Sequence, residues 1–315
     1  MNSCHSLIGD SGGDAPEVPV IEVRSLTRAF GKAEAVHDLN ISVRPGTIYG
    51  LFGRNGAGKS TTIKCLLNLL RPNSGQVRLF GLDPARDEVE VKRRLAYVPD
   101  SAAFYPWMTV RQALDYFASF REKWNVGVEA ELLKRFRLDV NKRASALSKG
   151  QTMQLALLVA ICPGPELLIL DEPTTGLDPV IRREFVETIV GAYQDADPAH
   201  RTIFVSTHLI TEFEGLVDDF TILENGRTVL TSNADEARRR FSRIRGRFPG
   251  LPPKMHVAGL VDYRCRGREV ELVVSDEGQS ALEQVRSYDP EDVSVESLDL
   301  ESIFVALLSG RGNDT

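Results

Sequence analysis

Apolar and polar positions follow periods that change along the chain, and each change predicts an element. Residues 20–23 (VIEV) and 36–43 (VHDLNISV) alternate in period two, as half-buried antiparallel strands do, with Gly31-Lys32 as the turn between them. Pro45-Gly46 then turns the chain into an apolar run at 47–52 (TIYGLF). A glycine-rich loop follows at 53–61 (GRNGAGKST), and behind it Ile63, Leu66, Leu67 and Leu70 share one helical face. Short strands are predicted at 76–80 and 95–99, the second stopped by Pro99. Next, residues 109–120 set Val110, Ala113, Leu114, Phe117 and Phe120 at helical spacing behind Thr109 as N-cap. Further helices are predicted at 129–138 and 152–161, so 101–165 reads as a helical insertion. The runs 167–170 and 202–206 are continuously apolar, as strands buried on both faces are, with a helix at 181–193 between them. Residues 219–224 and 227–230 flank Asn225-Gly226, a preferred hairpin turn.

Beyond residue 230 the character changes. Residues 234–248 carry six arginines (Arg238, Arg239, Arg240, Arg243, Arg245, Arg247) on what reads as a helix. Two readings of that run are open, a solvated face or contact with anionic lipid headgroups. A strand at 269–274, a helix at 277–288, a strand at 292–295 and an amphipathic helix at 299–308 complete a small α+β appendage. Residues 1–18, polar and rich in Gly and Pro, are expected to form a disordered leader. The expected organisation is thus an α/β domain over 19–230 and an accessory domain over 231–315.

Composition narrows the function classes. The 315 residues suffice for one large domain and a small one, and 26% charged with 42% hydrophobic residues is ordinary for a globular protein. A net charge of -6 argues against a general nucleic-acid binder, which needs a basic face. Cys4, Cys65, Cys162 and Cys265 lie too far apart for a metal or redox motif, which points to a reducing, cytosolic setting. The most apolar stretch, 155–161, is halted at Cys162-Pro163, well short of the roughly 20 residues that a membrane span needs.

The chemistry starts in the loop. Strand, glycine loop and helix in that order form the phosphate-binding pattern G-x-x-x-x-G-K-[ST], here Gly53, Arg54, Asn55, Gly56, Ala57, Gly58, Lys59, Ser60 and Thr61. Glycines let main-chain N–H groups turn inward on an anion, the helix N-terminus adds partial positive charge, Lys59 reaches the phosphates and Ser60 can ligate Mg²⁺. A nucleoside triphosphate is the implied ligand. Strand 167–170 ends in Asp171-Glu172, where the aspartate suits the metal and the glutamate can polarise an attacking water. Leu147-Ser148-Lys149-Gly150-Gln151 before the helix at 152 reads equally as an anion site or a plain N-cap. Phe30, beside a turn, reads on its own as core more readily than as a ligand contact.

Together and in this order, these motifs resemble the nucleotide-binding subunit of the ATP-binding cassette (ABC) transporters over residues 20–230. Residues 147–151 resemble the family signature L-S-G-G-Q, Asp171-Glu172-Pro173 its Walker B end and Thr175-Gly176-Leu177-Asp178 its D-loop, while His208 resembles the switch histidine. The resemblance implies a P-loop NTPase (RecA-like) core with an N-terminal antiparallel β subdomain, and ATP with Mg²⁺ held by Ser60, Asp100 and Asp171. Glu172, His208 and Asp100 would be catalytic, and Phe30 would stack on adenine. It further implies a head-to-tail dimer, homodimeric or with a paired cassette, in which Ser148, Lys149, Gly150 and Gln151 contact the partner's ATP and Asp178 lines the seam. An integral membrane permease would hold the chain at the inner face of the cell membrane. Three positions depart from the pattern: Asp100 stands for the Q-loop glutamine, Lys149 for a signature glycine, and Met153-Gln154-Leu155 offers no arginine. The aromatic stretch 104–108 (FYPWM) reads either as a core plug or as part of a permease-binding groove. The ending 300–307 (LESIFVAL) resembles bacterial ABC-2 exporters, which favours export. A low-turnover nucleotide switch and a non-transport cassette ATPase remain the alternatives.

Overall fold

The structure, a computed structural model, describes residues 18–194, 201–253, 255–276 and 278–310. The expected leader therefore lies almost wholly outside the described residues.

Three sheets organise the described residues. The first is antiparallel, with strand order β2-β1-β4, from β1 (Ile21–Phe30), β2 (Ala33–Val43) and β4 (Ser74–Leu79). The second runs β5-β6-β7-β3-β8-β9, from β3 (Ile48–Gly53), β5 (Leu95–Val98), β6 (Leu167–Asp171), β7 (Thr202–Thr207), β8 (Asp219–Glu224) and β9 (Arg227–Asn233). Its first five strands are parallel, and only β9 returns antiparallel through the Asn225-Gly226 turn. Every residue of β3, β6 and β7 is buried, because helices cover one face, while the first sheet and the helix after β3 cover the other. Alternation sorts the side chains: Tyr49, Leu51, Ile169 and Phe204 face the antiparallel sheet, while Ile48, Phe52, Leu170 and Val205 face the helices.

Helix α1 (Lys59–Leu66) follows the glycine loop and stops a turn earlier than the apolar spacing predicts. Asn68 adopts a left-handed backbone (φ 56°) and leaves Leu69 exposed. A short helix absent from the sequence reading, α2 (Glu88–Arg94), precedes β5. The helical block holds α3 (Val110–Ala118), α4 (Val126–Arg135) and α5 (Lys149–Ile161), and α6 (Pro179–Gln194) follows β6. Thr109 caps α3 through a reciprocal box with Gln112. Within the block, buried Glu129 accepts from Arg111 Nη1 at 2.8 Å and Trp124 Nε1 at 2.6 Å, tying α4 to α3.

Burial alone would raise the pKa of Glu129, but those hydrogen bonds and the Arg111 charge hold it below the ordinary value. A depressed folded pKa means its contribution is present above the unfolded pKa and lost as pH falls through the folded value. Glu129→Gln is therefore expected to destabilise the protein by about 1–3 kcal/mol at neutral pH. That gap should close below the ordinary value of 4.5, which thermal melts across pH would read directly.

The arginine run is not one helix. It divides into α7 (Ala234–Arg240) and β10 (Phe241–Arg247), the latter in a four-stranded sheet of order β11-β12-β10-β13 with β11 (Leu260–Arg266), β12 (Glu269–Ser275) and β13 (Asp292–Ser297). Period two explains the split. Ile244 and Gly246 face α8 (Gly278–Arg286), whereas Arg243 and Arg245 face outward and pair with Glu271 and Glu296. Arg243 and Arg245 serve cross-strand ion pairs. The last helix, α9 (Leu300–Gly310), packs Leu300, Ile303 and Ala306 into the apolar cluster that also holds the helix-facing side of the central sheet. No helix among the described residues is long and apolar enough to cross a membrane.

Candidate functional site

The C-terminal ends of β6, β7 and β3 lie side by side, and the candidate chemistry gathers where they end, as it does in open α/β sheets. The loop after β3 needs its glycines. Gly56 and Gly58 have φ of 84° and 106°, and a Cβ on Gly58 would come within 2.3 Å of Ala35 O. Gly58 is also the N-cap of α1 and brings no capping side chain. Among the described residues the main-chain N–H groups of Gly58, Lys59, Ser60 and Thr61 have no acceptor, which leaves a first helical turn open to an anion.

Lys59 is 5% exposed, and its ammonium donates to Gly53 O at 2.8 Å and Arg54 O at 3.2 Å. It also pairs with Glu172 Oε1 at 2.9 Å. Ser60 Oγ donates to Asp171 Oδ1 at 3.2 Å, and Ser206 Oγ donates to the same oxygen at 2.5 Å. Burial pushes the Asp171 carboxyl up; the two hydroxyls oppose that, and the Asp100 and Glu172 charges add to it. Asp100 itself is exposed, in the turn after β5.

Glu172 has a left-handed backbone at φ 46°, unusual for a side chain of this size. Its surroundings hold it there. Its N–H donates to Ser206 O at 2.8 Å, Oε2 accepts from Thr175 Oγ1 at 3.0 Å, and His208 Nδ1 lies 2.8 Å from Oε2. Burial disfavours its charge, yet Lys59 and then His208 outweigh that, so its pKa sits below the ordinary value. A carboxylate kept ionised beside a buried lysine is chemically fit to orient or deprotonate a water. Among the described residues no three His, Cys, Asp or Glu side chains are set to cage a metal. Ser60 and Asp171 nevertheless present converging hard oxygens, which suit Mg²⁺, an ion held by one or two carboxylates together with phosphates.

A second group forms at the start of α5. Ser148 caps that helix in a reciprocal box with Gln151, whose Oε1 also accepts from Lys142 Nζ at 3.0 Å. Ser148 and Lys149 are exposed, whereas Gly150 is buried because Ile181 of α6 leaves no room, its Cδ1 lying 2.7 Å from where a Cβ would stand. The Lys149 side chain lies over Gly176, and exposed Asp178 caps α6 by accepting from Val180 N and Ile181 N, both at 3.1 Å. Among the described residues this group shares no hydrogen bond with the loop at 53–61. Within the stretch 153–155 that carries no arginine, Gln154 donates to Glu184 at 3.0 Å and so ties α5 to α6.

Phe30 ends β1 and is 49% exposed, with the Arg28 guanidinium 4.7 Å from its ring centroid. Its hairpin partner strand abuts the glycine loop, since Ala35 O limits Gly58. The aromatic stretch at 104–108 divides. Phe104 meets Phe117 edge-on at 5.7 Å and packs on the core, whereas Tyr105 and Trp107 stack at 4.7 Å and are exposed. Tyr116 joins them to Phe120 at the mouth of a groove of about 980 Å³ between α2 and α3, also lined by Leu69, Val89, Tyr97 and Arg121. Thr175, in the stretch named above, reaches Glu172 from three residues away, whereas Ser206 and Thr207 support the two carboxylates but escaped the sequence reading. Only the parallel register, Asp171 opposite Ser206, brings them in.

Residues 36–175 match the family model described as ABC transporter. The chain is 36% identical over 223 residues to the bacitracin transport ATP-binding protein BcrA of Bacillus licheniformis, covering 70% of this chain and 72% of that one. It is 26% identical over 295 residues to the ABC transporter ATP-binding protein YtrB of Bacillus subtilis, covering 93% and 99%. A solved structure titled "Structure of ATP binding subunit of ABC transporter" superposes with a TM-score of 0.63 at 29% identity, over 70% of this chain and 92% of that one. The chain belongs to the ABC transporter family, as an ATP-binding subunit that hydrolyses ATP to energise a membrane permease.

Proposed function

We propose that Phe30 and the loop Gly53–Thr61 bind ATP, that Glu172 is the general base, and that two copies of the chain close head to tail over the nucleotide. The observation that carries this reading is the convergence of Lys59, Ser60, Asp171, Glu172 and His208 on one edge of the parallel sheet. The open N–H groups of α1 and Lys59 hold the phosphates, and the half-exposed Phe30 ring offers adenine a stacking face. Ser60 and Asp171, with Asp100 beside them, would hold Mg²⁺. That ion neutralises charge on the phosphates. Glu172 takes the proton of the attacking water, while His208 positions that water and the terminal phosphate.

The exposed signature group supports the dimer. Ser148 and Lys149 are open at the start of α5, joined by no hydrogen bond to their own phosphate loop, and Asp178 stands exposed beside them. Each group would complete the partner's site. The groove with its exposed aromatics suits a helix of the permease, which would keep the chain at the inner face of the membrane. Likeness to a bacitracin transport protein supports export, with the permease choosing the cargo.

Size exclusion tests the trans arrangement. Glu172→Gln is expected to elute as a dimer in ATP and as a monomer without it. Adding Lys149→Glu should abolish that dimer while the single chain still binds ATP within about threefold of its former affinity. A dimer that survives the charge reversal would sink the assignment of Lys149 to the seam.

A further inference from the structure

We propose that the C-terminal helices hold the segment carrying His208, and that Glu214 is the positioning residue through which they do so. The proposal rests on the assignment of His208 made above. After β7 the chain passes through His208, makes a short 3-10 turn at Ile210–Glu212 and reaches β8 at Asp219. This segment is pinned from two sides.

On one side Glu212 pairs with Arg182 at 2.6 Å, and Arg182 Nη2 donates to Leu177 O at 3.2 Å, next to Asp178. The accessory elements make the other side. Glu214 Oε1 accepts from Leu300 N at 2.6 Å, in the first turn of α9, while Asp299 Oδ1 takes the neighbouring Ser302 N at 2.7 Å. The two carboxylates thus divide the open donors of that helix end. The carbonyl of Glu214 accepts from Arg238 Nη2 of α7 at 2.6 Å. Beneath these polar contacts Ile210 and Phe213, both 1% exposed or less, share an apolar cluster with Leu298, Leu300 and Ile303.

Glu214 therefore has its carboxylate on α9 and its carbonyl on α7. It lies six residues from His208, on a segment whose apolar side chains are locked in the core. A shift of either helix moves the backbone that aims the imidazole. Interiors pack too tightly for the segment to absorb such a shift locally. The accessory region, beyond its place in the fold, thus has a route to the rate of hydrolysis that bypasses nucleotide binding.

The test uses the full chain. Glu214→Ala is expected to lower kcat for ATP by about fivefold or more and leave KM within about twofold. Hydrogen exchange over 208–217 should quicken, and exchange over 53–61 should not. Glu214→Gln keeps an acceptor oxygen for Leu300 N and should restore both readouts. Wild-type kcat in Glu214→Ala overturns the proposal, as does a fall in kcat with unchanged exchange over 208–217, or a loss that Gln does not rescue. Should Glu214→Ala fail to fold, Arg238→Met keeps the aliphatic stem, drops the contact to Glu214 O and carries the same readouts. His208→Ala separates the two claims. Wild-type turnover there removes the role of His208, while faster exchange in Glu214→Ala still upholds the clamp.

Discussion

Glu172→Gln is expected to keep ATP and lose steady-state turnover by about 10²–10⁴-fold, the range removed with a general base. The amide preserves an acceptor for Thr175 and for the donors around His208, so the backbone at φ 46° keeps its support. What goes is the negative charge that Lys59 and His208 keep ionised. Binding measured by titration and turnover measured by phosphate release should therefore part company. If phosphate release in the variant matched wild type, Glu172 would not be the base.

Lys59→Met is expected to act on the opposite quantity. Truncating one partner of a buried, hydrogen-bonded charge typically costs about 2–5 kcal/mol, or roughly 30- to 5000-fold in affinity. Lys59 fits that description, being 5% exposed with its ammonium on two carbonyls and a carboxylate. Methionine fills similar space, so a melt near that of wild type would assign the affinity loss to the ammonium. Calorimetry with ATP reads it, and unchanged affinity would leave the phosphates held by main-chain N–H groups alone.

Much of the fold was legible because its signals are local. Runs buried on both faces announced the parallel strands β6 and β7, and Asn225-Gly226 announced the hairpin that closes the sheet. The arginine run was not legible. Arg243, Arg245 and Arg247 alternate with Ile244 and Gly246, a period-two pattern that arginine's helix propensity masks until Glu271 and Glu296 are placed opposite. The candidate site divides in the same way. Residues contiguous in the loop and at the end of β6 could be read directly. Ser206 could not, since it meets Asp171 across 35 residues of sequence through strand register. Glu214 is further removed still, its partner Leu300 lying 86 residues on.

The ion pair between Lys59 and Glu172 has a consequence for selectivity. A site that already holds its own anion sets a threshold for any other. An incoming ligand must offer the lysine more negative charge than one carboxylate does, or the pair stays closed. A triphosphate exceeds that demand and an uncharged nucleoside does not meet it, so admission would be graded by charge before shape is tested. The same exchange would release Glu172 from its cation only when such a rival has arrived, so the proposed base would be unmasked by the substrate it acts on.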